Sequence, residues 1–131
     1  MGSRTTARRL AMQAIYQSDI SGIDMEVALN NLFEDEETIE DTRKFSKLLV
    51  SGVKGNKDEL DKKINDISKN WKFDRISPVD KAIIRLALYE LSCEKDTPPA
   101  VIINEAIELA KRYSDENSAR FINGILGAAV V

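Results

Sequence analysis

The residues here whose types and spacing could do chemistry are cationic and aromatic. Arg4, Arg8 and Arg9 fall within the first nine positions, with no acid among them. A guanidinium fork matches phosphate oxygens in pairs, and the free N–H groups at a helix start add to the same attraction. Tyr16 lies two helical turns beyond Arg8 on the same side and offers a ring that could stack on a base or sugar. Near the other end, Phe121 has Asn117 and Gly124 one turn either way, with Arg120 beyond them. An aromatic at the edge of a small, polar strip beside an arginine is what a single-strand stacking platform needs. Each feature also has a plainer reading: a basic helix start with a half-buried tyrosine, and a phenylalanine packed at a helix edge. The Asp74-Arg75 pair is open in the same way.

Catalysis is disfavoured. The chain has no histidine and a single cysteine, Cys93. That removes the usual general base, the commonest metal ligand and any Ser-His or Cys-His nucleophile pair. A zinc site would have to rely on carboxylates alone, which is not how zinc is held. Glu105 with Glu108, or Glu90 with Glu94, could be drawn as an acid–base couple. The simpler account pairs Glu108 with Arg112 at i+4 and gives Arg85, an interior cation, an acid such as Glu90 or Glu105. Gly52-Val53-Lys54-Gly55 lacks the spacing and the Lys-Ser/Thr ending of a phosphate-binding loop. The expectation is no catalytic residue, no metal and no cofactor.

Helices must carry these side chains. Ser77 to Cys93 is apolar around most of its circumference, with only Asp80, Lys81, Arg85 and Glu90 polar between Val79 and Leu91. Such a helix is stable in water only when neighbours surround it. Ser77 as N-cap, Pro78 at the first position and Asp80 in the first turn mark its start. It is the expected central helix.

Other helices follow from apolar spacing. One spans about 5–21, burying Ala7, Leu10, Ala11, Ala14, Ile15 and Ser18, and a short one, capped by Asp24, runs through Phe33 with Val27, Ala28 and Leu32 inward. A third turns in Phe45, Leu48, Leu49 and Val53, its end loosened by Gly52 and Gly55, and a fourth runs to about Lys69. Trp71 and Phe73 close the seam between two helical halves, and helices of about 100–113 and 115–129 follow, Ser114 capping the last. No strand pattern survives.

Bulk properties agree. A length of 131 residues allows one domain or two small subdomains, and 43% hydrophobic with 31% charged residues is ordinary for a soluble protein. No apolar run approaches a bilayer span and no signal-peptide core follows the arginines, so a cytoplasmic location is expected. A lone cysteine agrees with a reducing compartment. The opening Met1-Gly2-Ser3-Arg4-Thr5-Thr6 formally fits a myristoylation pattern, but a start codon followed by small residues explains it more simply. Net charge is −3, yet acids concentrate between Glu34 and Asp41, so a basic patch can persist elsewhere.

Three segments together resemble the NusB family of bacterial transcription antitermination factors. They are ARRLAMQAIY (Ala7 to Tyr16), VDKAIIRLALYEL (Val79 to Leu91), and INEAIELAK (Ile103 to Lys111) continuing into RFINGIL (Arg120 to Leu126). The resemblance spans nearly the whole chain, and its last two segments are the most specific. It implies an all-α fold of about seven helices in two small helical-bundle subdomains, about 1–72 and 73–131, forming a single RNA-binding domain of 1–131. It also implies a non-enzymatic role: binding the boxA element of ribosomal RNA leader transcripts together with the ribosomal small-subunit protein NusE, and acting on the RNA polymerase antitermination complex. Carried onto matching positions, the RNA-contacting group is Arg4, Arg8, Tyr16, Arg75, Ser118, Arg120 and Phe121, and Asp74 and Asp80 match acidic positions on the NusE-facing side. Thr5 and Thr6 dilute the basic start relative to the family, which shifts weight for RNA binding onto the partner. Two rivals stand beside this reading. One is a helical protein-interaction module or homodimer without RNA. The other is an RNA-modifying enzyme, for which the chain has no room for a methyltransferase domain.

Overall fold

Seven α-helices make up most of the described chain. The computed structural model describes residues 2–68 and 73–130. Its helices are α1 (Ser3–Ser21), α2 (Met25–Asp35), α3 (Glu40–Gly55), α4 (Lys57–Ile67), α5 (Pro78–Cys93), α6 (Pro99–Tyr113) and α7 (Glu116–Ala129), with a 3₁₀ turn, Phe73–Arg75, ahead of α5. No strand occurs among the described residues, as expected of an all-α chain. The seam role of Trp71, the end of the fourth helix at Lys69 and residue 72 at the subdomain boundary lie outside the described residues.

The central helix is α5. Its Ser77 cap accepts the Asp80 N–H at 3.2 Å, and Pro78 occupies the first turn, where a missing N–H costs nothing. Every residue from Ala82 to Leu88 is buried, because α5 packs against α1, α3, α4, α6 and α7 at once. One apolar core therefore runs through the described molecule, joining Leu10 and Ile15 of α1, Leu29 of α2, Leu49 of α3, Ile64 of α4, Ile84 and Leu88 of α5 and Leu126 of α7.

The structure rotates two faces from those expected. In α2 the inward stripe is Met25, Ala28, Leu29 and Phe33, while Val27 points outward and is 47% exposed. The Asp24 cap stands as expected, its carboxylate accepting the Glu26 and Val27 N–H groups. In α3 the inward line is Thr42, Ser46, Leu49, Val50 and Val53, leaving Leu48 56% exposed. Thr42 and Ser46 are small hydroxyl residues within that buried line, and the Ser46 hydroxyl donates to the Arg43 carbonyl at 3.0 Å. Gly52 serves a close approach to α5: a Cβ at this position would sit 1.9 Å from the Tyr89 ring. It is a packing glycine rather than a helix breaker.

Arg85 departs from its expected partners. It donates to Asp61 of α4 from Nε at 2.6 Å and Nη2 at 3.0 Å, with Asp19 of α1 at 3.5 Å from Nη1. Glu90 could not have served, since five positions along a helix turn through about 140°. Glu108 lies beside Lys111 at 4.0 Å instead of pairing with Arg112, whose guanidinium sits over the Tyr113 ring.

Candidate nucleic-acid interface

The first turns of α5 and α7 lie side by side, and each is capped from its own sequence. Ser77 caps α5, and Asp115, not the expected Ser114, caps α7 by accepting the Ser118 N–H at 2.8 Å. Adjacent Ser114 and Asp115 are both good caps by type, and only the backbone decides between them. With the 3₁₀ turn, these ends enclose an open cleft of about 420 Å³. Arg75, Asp80, Ser118 and Phe121 line it, together with Asn117 and Ser114.

Its inner wall is an ordered chain of hydroxyls ending on a carboxylate. Ser114 Oγ donates to Ser118 Oγ at 2.8 Å, and Ser118 Oγ donates to Asp80 Oδ2 at 2.9 Å. Asp80 is only 7% exposed, and its other oxygen, Oδ1, is buried with no hydrogen-bond partner. Burial pushes the Asp80 carboxyl above its ordinary value, the Ser118 and Ser77 hydroxyls pull it back, and the nearby Asp115 charge pushes it up again. Phe121 is half-buried at the wall, Arg75 and Asp74 are exposed on the 3₁₀ turn, and exposed Arg120 donates to the Asn117 side-chain oxygen at the rim.

The start of α1 is arranged differently. Arg8 is 4% exposed. Its Nε and Nη2 each donate to Glu90 at 2.9 Å, and its Nη1 donates to Glu105 at 3.2 Å. Thr5 Oγ1 adds a bond to the same Glu105 oxygen at 2.7 Å. Burial pulls the Arg8 guanidinium down, but its hydrogen bonds and charge pairing with Glu90 and Glu105 outweigh this and raise it, so it stays charged. Burial pushes the Glu90 carboxyl up, against the pull of Arg8. Arg9 pairs with Glu36 of the acidic run. Of the opening arginines only Arg4 is exposed, lying 4.2 Å above the Phe45 ring and 3.7 Å from Glu94. Tyr16 is half-buried against the core.

Of the nine positions singled out in the sequence, then, Arg75, Asp80, Ser118 and Phe121 line one cleft, Arg120 and Asp74 stand beside its lining residues, and Arg4, Arg8 and Tyr16 are not among those that line it. Arg8, expected among phosphate contacts, turns inward onto two carboxylates that engage all three of its nitrogens. Ser114, Asp115 and Glu90 carry more of the polar architecture than their sequence context announces. Glu90 reaches Arg8 across 82 positions, a distance that no local pattern reports. The chemistry the cleft offers is recognition: acceptors on the inner wall, a ring at the side, guanidinium groups at the lip. Among the described residues no group of His, Cys, Asp and Glu is placed to hold a metal, and no helix is long and apolar enough to cross a membrane. Cys93 ends α5, fifteen positions from Pro78 and so roughly 22 Å along the helix axis from the cleft.

Comparison with known proteins yields a consistent set of likenesses. The NusB family model matches residues 5–130. The transcription antitermination protein NusB of Clostridium botulinum (strain Kyoto / Type A2) is 42% identical, across 98% of this chain and 99% of its own. A solved structure of T. maritima NusB superposes with a TM-score of 0.90 at 35% identity, covering 96% of this chain and 89% of that one. A crystal structure of the antitermination factors NusB and NusE in complex with dsRNA superposes with a TM-score of 0.91 at 27% identity, covering 98% and 96%.

Proposed function

The chain belongs to the NusB family, and on that premise we propose how its surface serves transcription antitermination. It is a non-enzymatic, cytoplasmic adaptor that binds the boxA element of ribosomal RNA leader transcripts with NusE and presents the assembly to RNA polymerase. The observation that carries this reading is the convergence of Arg75, Ser118 and Phe121 on one cleft, from parts of the sequence more than forty positions apart. Single-stranded RNA is recognised by splaying bases onto aromatic rings while cations hold the phosphates. Phe121 is the stacking ring, Arg75 and Arg120 the phosphate contacts at the lip, and Arg4 and Tyr16 extend the track along α1.

Two assignments shift in the light of burial. Arg8 is a positioning residue that pins α1 to α5 and α6, since its guanidinium is occupied by Glu90 and Glu105. Asp80 joins the RNA-facing group because it sits inside the cleft, leaving exposed Asp74 to face NusE.

A mobility-shift titration with boxA and scrambled RNA, with and without NusE, tests the proposal. Preference for boxA that strengthens with NusE and falls with Phe121→Ala supports it. Equal, weak binding of both RNAs under all conditions overturns it in favour of a protein-interaction module or homodimer.

A further inference from the structure

The 3₁₀ turn at the lip of the cleft, Phe73–Arg75, is closed by one backbone bond, from the Ile76 N–H to the Phe73 carbonyl at 3.1 Å. A single bond of this kind does not hold a turn in water by itself. Its anchors are the side chains at either end. Ile76 is 5% exposed, and Phe73 is half-buried against the core. Between these anchors Asp74 and Arg75 are exposed, and neither has a hydrogen bond or ion pair among the described residues.

Phe73 is held from α5 by charge as well as by packing. Lys81 Nζ lies 4.3 Å from the centre of its ring, and Arg85 Cζ lies 5.6 Å from it. The two cations are four positions apart and so share one face of α5. Both fall within the distance at which a ring face attracts a cation. Arg85 cannot follow a displaced ring, because it is buried and Asp61 binds it through Nε and Nη2. The ring is thereby indexed to α5, the helix that also carries Asp80 on the wall of the cleft.

We propose that Phe73 is a positioning residue: clamped by Lys81 and Arg85, it fixes the turn so that Arg75 is already in place when RNA arrives. Without the clamp the turn must be ordered at the moment of binding, and that lost entropy is subtracted from affinity. The inference rests on the RNA-binding reading above only for what Arg75 touches. The clamp itself is a property of the free protein.

Substitutions at the ring and at the group it positions test this. Phe73→Leu keeps an apolar side chain but removes the ring face, Phe73→Tyr keeps the face, and Arg75→Ala removes the positioned guanidinium. In the free protein, amide hydrogen exchange at Ile76 should quicken in Phe73→Leu and return to the parent rate in Phe73→Tyr. With NusE saturating, Phe73→Leu should weaken boxA binding about fivefold, within the span of one cation–π contact. Phe73→Tyr should restore it. On an Arg75→Ala background the same Phe73→Leu change should cost nothing further. A merely structural role would lower affinity alike in both backgrounds.

The proposal is overturned if exchange at Ile76 is unchanged in Phe73→Leu, if Phe73→Tyr fails to restore affinity, or if the loss persists in full beside Arg75→Ala. Should Phe73→Leu fail to fold by its melting curve, Lys81→Met takes its place, with Lys81→Arg as the restoring variant and the same outcomes. A lack of boxA binding by the unaltered protein would instead bring down the RNA-binding reading, with the exchange rates still deciding on the clamp.

Discussion

The start of α1 and the cleft between α5 and α7 are built from the same residue types and come out opposite in character. Each holds a guanidinium, carboxylates, a hydroxyl and an aromatic ring. At α1, Arg8 meets two glutamates, one of which also accepts from Thr5, and each guanidinium nitrogen has a partner within the protein. At the cleft, Arg75 and Arg120 make no ion pair among the described contacts, and one oxygen of Asp80 has no partner. A saturated cluster is architecture, while an unsaturated one beside open space is a place for a ligand. The distinction lies in the bookkeeping of donors and acceptors, and residue type alone does not reveal it.

The strongest challenge to this contrast is Arg8→Ala. Removing one partner of a buried pair leaves Glu90 charged and uncompensated, so stability should fall by about 3–5 kcal/mol in denaturant titration. The salt dependence of boxA binding should keep its slope. A flattened slope with intact stability would make Arg8 a phosphate contact and dissolve the contrast.

Gly52→Ala separates loss of stability from loss of binding. Its Cβ would collide with the Tyr89 ring, far from either polar cluster in chemistry, and overpacking of this kind costs about 1–3 kcal/mol. RNA affinity of the folded fraction should be unchanged, and replacing Tyr89 with a smaller residue should recover part of the melting temperature. If Gly52→Ala folds with full stability, the close approach of α3 to α5 is not what the glycine is for.

Arg120→Ala tests the open side. An exposed residue lost from the surface should alter stability by no more than about 0.5 kcal/mol. The slope of log K against log salt should drop by about one phosphate contact. Binding unchanged across a salt series would remove Arg120 from the interface.

Asp80→Asn gives the smallest expected effect on the free protein, and its sign follows from burial. Burial raises the Asp80 carboxyl in the folded state. The folded chain then binds a proton that the unfolded chain has released, over the window between the unfolded and the folded value. Stability of the unaltered protein should decline across that window as pH rises from acid toward neutral. Asp80→Asn lacks this decline, so its stability relative to the parent should grow as the pH rises. Parallel melting-temperature curves at all pH values would show that Asp80 titrates alike in both states.

Much of this molecule is legible one helix at a time. The start of α5 could be placed to the residue because Ser77, Pro78 and Asp80 act within one turn, and its centrality followed from an apolar surface that no single neighbour could cover. Asp24 was equally plain as a cap. The faces of α2 and α3 were harder. Leu48 and Leu49, or Val27 and Ala28, are adjacent, so either could be buried, and the choice rests on which neighbouring helix arrives and at what angle. Of the candidate site, residues in all three stretches that meet could be named, but not that they would share one cleft, that Ser118 would reach Asp80, or that Arg8 would be consumed by Glu90.

Composition and periodicity by themselves settle that this chain is helical, that α5 is its axis, and that histidine-based chemistry is closed to it, because these depend on neighbours within a turn or on residues being absent. Which carboxylate answers which arginine was decided only when the helices packed. Coulomb attraction and hydrogen bonding act over a few ångströms of space, and a partner 82 positions away along the chain becomes adjacent only in the folded molecule.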